Sequence, residues 1–236
     1  MRATRESDLA ACAATVERYF DAVESELVAV RQTLVALFSH GPVTAAAASA
    51  AIEDRVRRHL RTSPIIGAGY VAAPGALADR SLYLAWWQGQ DETLLADHTP
   101  SHGSDFDYTR NEWFRTPSMS RHPHVTGPYV DFVCSDEYVM THTVPVIVDG
   151  EMLGVVGADT LVETLEDLFL DEFRSARATL VNSHGRAIVS ADPHVATGDL
   201  IEADAAVDHL ACTRLPLRLI GLDGARQVAA PAQTSR

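Results

Sequence analysis

Between Glu137 and Arg174 the chain reads EYVMTHTVPVIVDGEMLGVVGADTLVETLEDLFLDEFR, and no other stretch limits the fold so tightly. Two runs rich in β-branched residues are joined by Asp149 and Gly150, a pair suited to the two-residue hairpin turn because both positions need a positive φ. The two runs must then pair antiparallel. After the second run Thr160 is placed to cap a helix, with Leu161, Leu165, Leu168 and Phe169 recurring on its inner face. The run GPYVDFV, residues 127–133, supplies a strand before the hairpin. Three strands therefore form a meander that leads into an amphipathic helix.

Three more strands are predicted upstream. IIGAGYVAAP carries glycines that let another backbone approach, Pro74 and Gly75 turn it, and SLYLAWWQ and TLLADHT follow. Residues 98–126 are a long polar loop holding a short helix around Asn111 to Arg115, and loops of that length usually carry function. Before all of this, Val16, Phe20, Val23, Leu27, Val30, Leu34 and Leu37 recur at alternating steps of four and three, which predicts one long amphipathic helix. Its apolar stripe suits either packing on the chain's own sheet or pairing across a homodimer. Ser39 to Pro42 interrupt it, and an alanine-rich second helix is predicted to about Leu60.

Downstream, ATLVNSHGRAIVSADP reads as a hairpin about His184 and Gly185, LACTRLPLRLIGL as one more strand, and GARQVAAPAQTSR as a loose tail. The fold class is α+β, a long N-terminal helix on a central antiparallel sheet. The expected organisation is a helical segment over 1–62, one α+β domain over 63–223 and a flexible tail over 224–236.

Composition removes several function classes. With 236 residues, 47% hydrophobic, the chain can bury a real core. A net charge of −13 repels nucleic acid and anionic lipid, and no Lys/Arg stripe offsets it. No segment reads as a signal peptide or a membrane helix, so a cytoplasmic location is expected. Cys12, Cys134 and Cys212 lack metal-ligand spacing and read as free buried thiols. There is no phosphate loop, dinucleotide fingerprint or nucleophile elbow. A noncatalytic protein without cofactor is expected.

The candidate ligand groups lie around the meander. Tyr129 and Asp131 share a strand face, and Asp159 ends the strand that follows the hairpin, so two carboxylates are expected to converge and to want a cation between them. A ligand ammonium would meet that need. Trp113, Phe114 and Tyr129 would supply apolar and cation–π walls, and Arg110 could take a ligand carboxylate in a forked pair of hydrogen bonds. Structural readings stand beside each. Asp159 could cap the helix, Asp131 could hold a turn or pair with Arg110, Thr141 and Thr143 could be sheet packing, and of Trp86 and Trp87, one on each side of a strand, at least one is core. His98, His102, Asp105, Asp107, His122 and His124 could bind a metal, though none has the spacing of a metalloprotease helix and no physiological metal is expected.

The succession DYTRNEWF, GPYVDF and THTVPVIVDGEMLGVVGAD, followed by an amphipathic helix, resembles the ligand-binding part of Cache (PDC) sensor domains, the PAS-like domains of bacterial receptors. The resemblance covers roughly residues 65–175. It implies a PAS-like sheet, a pocket for an amino acid, amine or small carboxylate, and a ligand-binding set of Tyr108, Arg110, Trp113, Phe114, Tyr129, Asp131, Thr141 and Asp159, with Asp159 taking the amino group. Two positions depart from the amino-acid-sensing pattern: Arg110 and Trp113 are one residue further apart, and Phe114 stands where tyrosine is usual. The reading is a sensor that reports occupancy to a separate regulatory protein. Two alternatives remain: a metal-dependent or acid-base enzyme using Asp131, Asp159 and the loop from His98 to His124, and a dimeric scaffold with an empty pocket.

Overall fold

The structure is a computed structural model, which describes residues 2–89, 93–94, 107–131, 137–203, 209–222 and 225–227. Its elements follow the predicted grammar closely at the start. Helix α1 runs Arg2–Phe38 and α2 runs Ala45–Thr62, with Thr44 capping the latter through its side chain. The stripe residues Val16, Phe20, Val23, Leu27, Val30 and Leu34 are all buried within the single chain. That stripe is spent on intramolecular packing, so pairing of two chains would need another face of α1.

Strands β1 (Gly67–Ala72), β2 (Leu84–Gln88) and β3 (Thr93–Leu94) are followed by a 3₁₀ turn at Tyr108–Arg110 and by α3 (Glu112–Ser120). Then come β4 (His124–Val130), β5 (Tyr138–Val148) and β6 (Glu151–Leu161). They form one sheet in the order β3-β2-β1-β6-β5-β4, which joins the two predicted three-strand sets side by side. Asp149 and Gly150 make the turn between β5 and β6 with φ of 50° and 81°. Helix α3 is longer than the predicted Asn111–Arg115 segment, and it ends where Arg121 adopts a left-handed conformation with φ 62°.

Contacts divide the chain into two compact units. One comprises Phe20–Thr126 and Thr141–Thr160, and the other comprises Met1–Tyr19, Gly127–Met140 and Leu161–Arg236. In the first, α1 residues pack on one sheet face: Phe38 lies against Tyr70, Phe20 against His142, and His142 Nε2 meets Glu24 at 3.2 Å. In the second, α4 (Val162–Ala176) packs on a separate sheet of order β10-β11-β7-β8, built from β7 (Ala178–Asn182), β8 (Ala187–Ser190), β10 (His209–Ala211) and β11 (Leu217–Gly221). Phe169 and Phe173 of α4 stack at 5.9 Å, and Tyr19 meets Phe169 edge-on at 5.8 Å.

By contact, residues 63–223 are divided between the two compact units. Three readings are corrected. The predicted single strand in LACTRLPLRLIGL is two strands, because Thr213 to Pro216 turn the chain between β10 and β11. The predicted tail contributes β12 (Ala225–Gln227), which pairs with β9 (Ile201–Ala203). Helix α4 starts at Val162, with Leu161 at the cap position and no side-chain cap bond, so Thr160 is a buried strand residue. Among the described residues no helix is long and apolar enough to cross a membrane.

Candidate functional site

Register decides which residues of the Phe20–Thr126 and Thr141–Thr160 unit share a face. Gly67 pairs with Asp159 on one side and Gln88 on the other, and Gly69 pairs with Gly157 and Trp86. Directly paired residues project to the same side of a sheet, and so do residues two apart along a strand. Trp86, Gln88, Gly67, Gly69, Gly157 and Asp159 therefore face one way. Ala68, Tyr70, Trp87, Val156 and Ala158 face the other, the side on which Tyr70 meets α1.

Asp159 is the polar centre of the first face. It is 7% exposed, and its carboxylate accepts the Thr141 hydroxyl at 2.5 Å while Thr141 is itself buried. Its carbonyl accepts the Ile66 N–H at 2.8 Å. The helix-cap reading of this aspartate fails, because the strand continues two residues past it before α4 begins. A carboxylate taken out of water this far inside a strand needs a hydroxyl or a cation to hold it charged. Thr141 supplies the hydroxyl.

Beside Asp159 the sheet has a floor without side chains. A Cβ on Gly67 would stand 2.5 Å from the indole nitrogen of Trp86, and one on Gly157 would stand 3.4 Å from the far corner of the same ring. The indole thus lies across β1 on glycines, with its nitrogen corner at Gly67. Trp86 is 6% exposed and its N–H has no hydrogen-bond partner among the described residues. Leaving such a donor buried and unmet costs about 1–3 kcal/mol. Gly69 has a different job, since a Cβ there would overlap the Ala85 carbonyl of the neighbouring strand. The predicted close backbone approach is thus real at Gly69, while Gly67 makes room for a ring.

The segment 107–120 is fixed to this face by Thr143, whose hydroxyl donates to the Trp113 carbonyl at 2.9 Å. Tyr108 is buried, donates its hydroxyl to the Ala72 carbonyl at 2.6 Å and accepts the Tyr83 N–H at 3.2 Å. Burial pushes its phenol above the usual range. Tyr108 is a brace tying the 3₁₀ turn to β1. Phe114 is 4% exposed and packs on Tyr108 at 5.4 Å, with Trp113 edge-on to it at 6.1 Å and only half-buried.

Arg110 is the clearest departure from expectation. Its side chain is 87% exposed and its Nε donates to Asp107 at 3.1 Å, so it does not stand inside a cavity. Asp107 also accepts the Thr109 N–H and hydroxyl, and these bonds, with Arg110 beside it, hold its carboxyl below the usual range. Local pairing within one turn has taken the guanidinium that the sequence offered to a ligand. Tyr129 and Asp131 are grouped by contact with the other unit. Asp131 lies just past β4, buried, with its N–H donating to the Glu137 carbonyl at 3.0 Å.

For the metal alternative, His98, His102 and Asp105 lie outside the described residues. His124 pairs with Glu112 at 2.9 Å, and His122 is exposed. Among the described residues no group of three or more His, Cys, Asp or Glu is placed to hold a metal ion. Cys12 and Cys212 are buried thiols whose pKa burial raises to about 11 and about 12, which makes them poor nucleophiles; Cys134 lies outside the described residues.

Sequence reasoning did not separate Trp86 from Trp87. The signal was present in Gly67, Gly69 and Gly157, but only register shows that these glycines lie next to one another beneath the ring.

Comparison with known proteins agrees with this geometry. Residues 52–167 match the family model of the methyl-accepting chemotaxis protein-like first PDC sensor domain. The sensory domain of the Campylobacter jejuni chemoreceptor Tlp3 with isoleucine bound superposes with a TM-score of 0.63 at 14% identity, covering 95% of this chain and 91% of that one. The Tlp3 ligand-binding domain in complex with L-valine gives 0.65 at 13% identity, again with 95% and 91% covered. A structure named methyl-accepting chemotaxis protein X gives 0.64 at 13% identity, with 95% and 96% covered. No curated protein matches by sequence. With the strand order and the helix-covered sheet already described, residues 52–167 carry the match to a PDC, or Cache-like, sensor domain, and the whole chain shares the fold of these chemoreceptor sensory domains.

Proposed function

We propose that the sheet face carrying Asp159 is the ligand site, and that the ligand bears an ammonium group, as an amino acid or amine does. The observation that carries this reading is the buried Asp159 carboxylate, held by Thr141 within a strand beside a glycine floor. A cation brought to that carboxylate would be paired in a desolvated place, where charge-assisted hydrogen bonds are strongest. The ligands named for the Tlp3 structures, isoleucine and L-valine, are of this class. Trp113 and Phe114 would contribute apolar surface near the entrance, and Tyr108 would hold their segment in place.

Binding becomes a signal only if the ligand prefers one of two arrangements of the protein. Helix α1 is the proposed carrier, because its residues Phe20, Glu24 and Phe38 lie directly on the opposite face of the same sheet. The receiver would be a separate regulatory protein or a second copy of this chain, met by a face of α1 other than the buried stripe.

Thermal unfolding against a panel of amino acids, amines and small carboxylates tests the site. A ligand at about a hundred times its Kd adds roughly 2.7 kcal/mol and raises the unfolding temperature visibly. The proposal expects at least one ammonium compound to do so in the wild type and none in Asp159→Ala. A panel without effect on either protein would leave a scaffold with an empty pocket as the better reading.

A further inference from the structure

From the orphaned indole N–H above Gly67 we infer that Trp86 is a ligand-binding residue, donating its one hydrogen bond to an oxygen that lies next to the ligand's ammonium group. The inference rests on the Asp159 site proposed above and adds to it the second half of the ligand.

Three observations place the donor in the site. Trp86 is 6% exposed, and its nitrogen is sealed from solvent without a protein acceptor. Its nitrogen corner rests over Gly67, whose missing Cβ would stand 2.5 Å away. Gly67 is the direct cross-strand partner of Asp159, so the indole nitrogen and the aspartate sit over adjacent strands on one sheet face. Adjacent strands lie about 4.8 Å apart, and a molecule with a cationic nitrogen and an oxygen one or two atoms away reaches across one such step. An α-amino acid has this form. So does its amide.

The sign of the charges narrows the ligand further. A carboxylate alone would be repelled by Asp159, whereas one whose own ammonium stands between it and Asp159 is not. Simple carboxylates are therefore excluded at this end, and simple amines lose the second contact. Arg110, exposed and paired with Asp107, leaves the acceptor end without a guanidinium, so a neutral donor sets the preference there.

Trp87 provides the control. Its N–H is equally buried and equally unmet, yet it lies on the face that packs against α1, with Ala68 and Tyr70 on the same side. An unmet indole N–H is thus not sufficient by itself. What separates Trp86 is the glycine floor and the shared face with Asp159.

The test uses the full chain with L-valine, L-valinamide and isobutylamine in calorimetric titration, on wild type, Trp86→Phe and Trp87→Phe. The indole N–H resonances of the wild type are followed by NMR during the same titrations. Valine, valinamide or both should bind roughly ten- to a hundredfold more weakly to Trp86→Phe, while isobutylamine changes less than about threefold and Trp87→Phe changes nothing. The Trp86 N–H resonance should move downfield with the affected compounds. Loss for valine alone identifies a carboxylate as the acceptor, and loss for both identifies a carbonyl oxygen in general. If valine binds with the same affinity to Trp86→Phe and the resonance stays in place, the inference is overturned and the Asp159 site stands. If none of the three compounds binds the wild type and no other ammonium compound does, the site and the inference fall together.

Discussion

Trp86 and Trp87 are neighbours in sequence, similarly buried, and each keeps an indole N–H without a partner, yet the two sides of the sheet they serve are built on opposite rules. Trp87 is paired directly with Ala68 and Leu94, and Tyr70 of that face packs on Phe38 of α1 while its hydroxyl donates to the Leu153 carbonyl at 2.5 Å. Around Trp86 the facing positions at Gly67, Gly69 and Gly157 carry no side chain, and Asp159, held by Thr141, shares that face. One face is filled so that the fold is stable. The other lays an indole over glycines beside Asp159, where the proposed ligand would sit.

The largest effect expected from this contrast is on folding. Trp87→Ala should lower the unfolding free energy by about 3–5 kcal/mol, because the ring is fully buried and the residues around it are held by helix and sheet. Urea titration measures it. A loss below about 1 kcal/mol would mean that the α1 side is as loosely packed as the other.

The glycines give a sharper version. Gly69→Ala places a methyl on the Ala85 carbonyl of a paired strand, backbone that cannot turn away, and should cost about 1–3 kcal/mol. Gly67→Ala meets only the Trp86 ring. It should cost less stability than Gly69→Ala and weaken ligand binding more. Equal losses of stability with unchanged binding would show that Gly67 is packing like its neighbour.

A smaller effect separates the helical side by pH. His59 in α2 is 1% exposed, neither ring nitrogen has a partner, and burial lowers its pKa below 6.5. In the unfolded chain the ring titrates near 6.5, so below that pH the unfolded state binds a proton that the folded state refuses. Stability should be full above pH 6.5 and fall as the pH drops through it. Unfolding midpoints of wild type and His59→Phe between pH 5 and pH 8 should diverge only at the acid end.

The sequence made one set of features legible and hid another, for identifiable reasons. Periodicity located α1 and α2 because a stripe of apolar residues is a local signal, and the Asp149–Gly150 turn fixed the meander because turn chemistry is local too. The candidate site is less local. Asp159 was marked, but whether it capped a helix depended on where β6 stopped, and the strand ran on through Thr160 and Leu161. Arg110 offered a charge whose fate was decided by Asp107 three residues earlier, a pairing as available to sequence as the ligand contact and shorter in reach. Trp86 could not be separated from Trp87 until register showed which face held the glycines. The short strands β9, β10 and β12 escaped as separate elements because three-residue strands carry almost no periodic signal.

The central claim, that the glycine-floored face is a site built around Asp159, is tested most directly by Asp159→Asn. This change keeps an oxygen to accept the Thr141 hydroxyl and removes only the charge. Unfolding temperatures of wild type and variant are measured with and without the ammonium compounds of the panel. The account predicts ligand-free temperatures that nearly coincide, and a ligand-induced rise in the wild type that is absent from the variant. A rise of the same size in both proteins would contradict it.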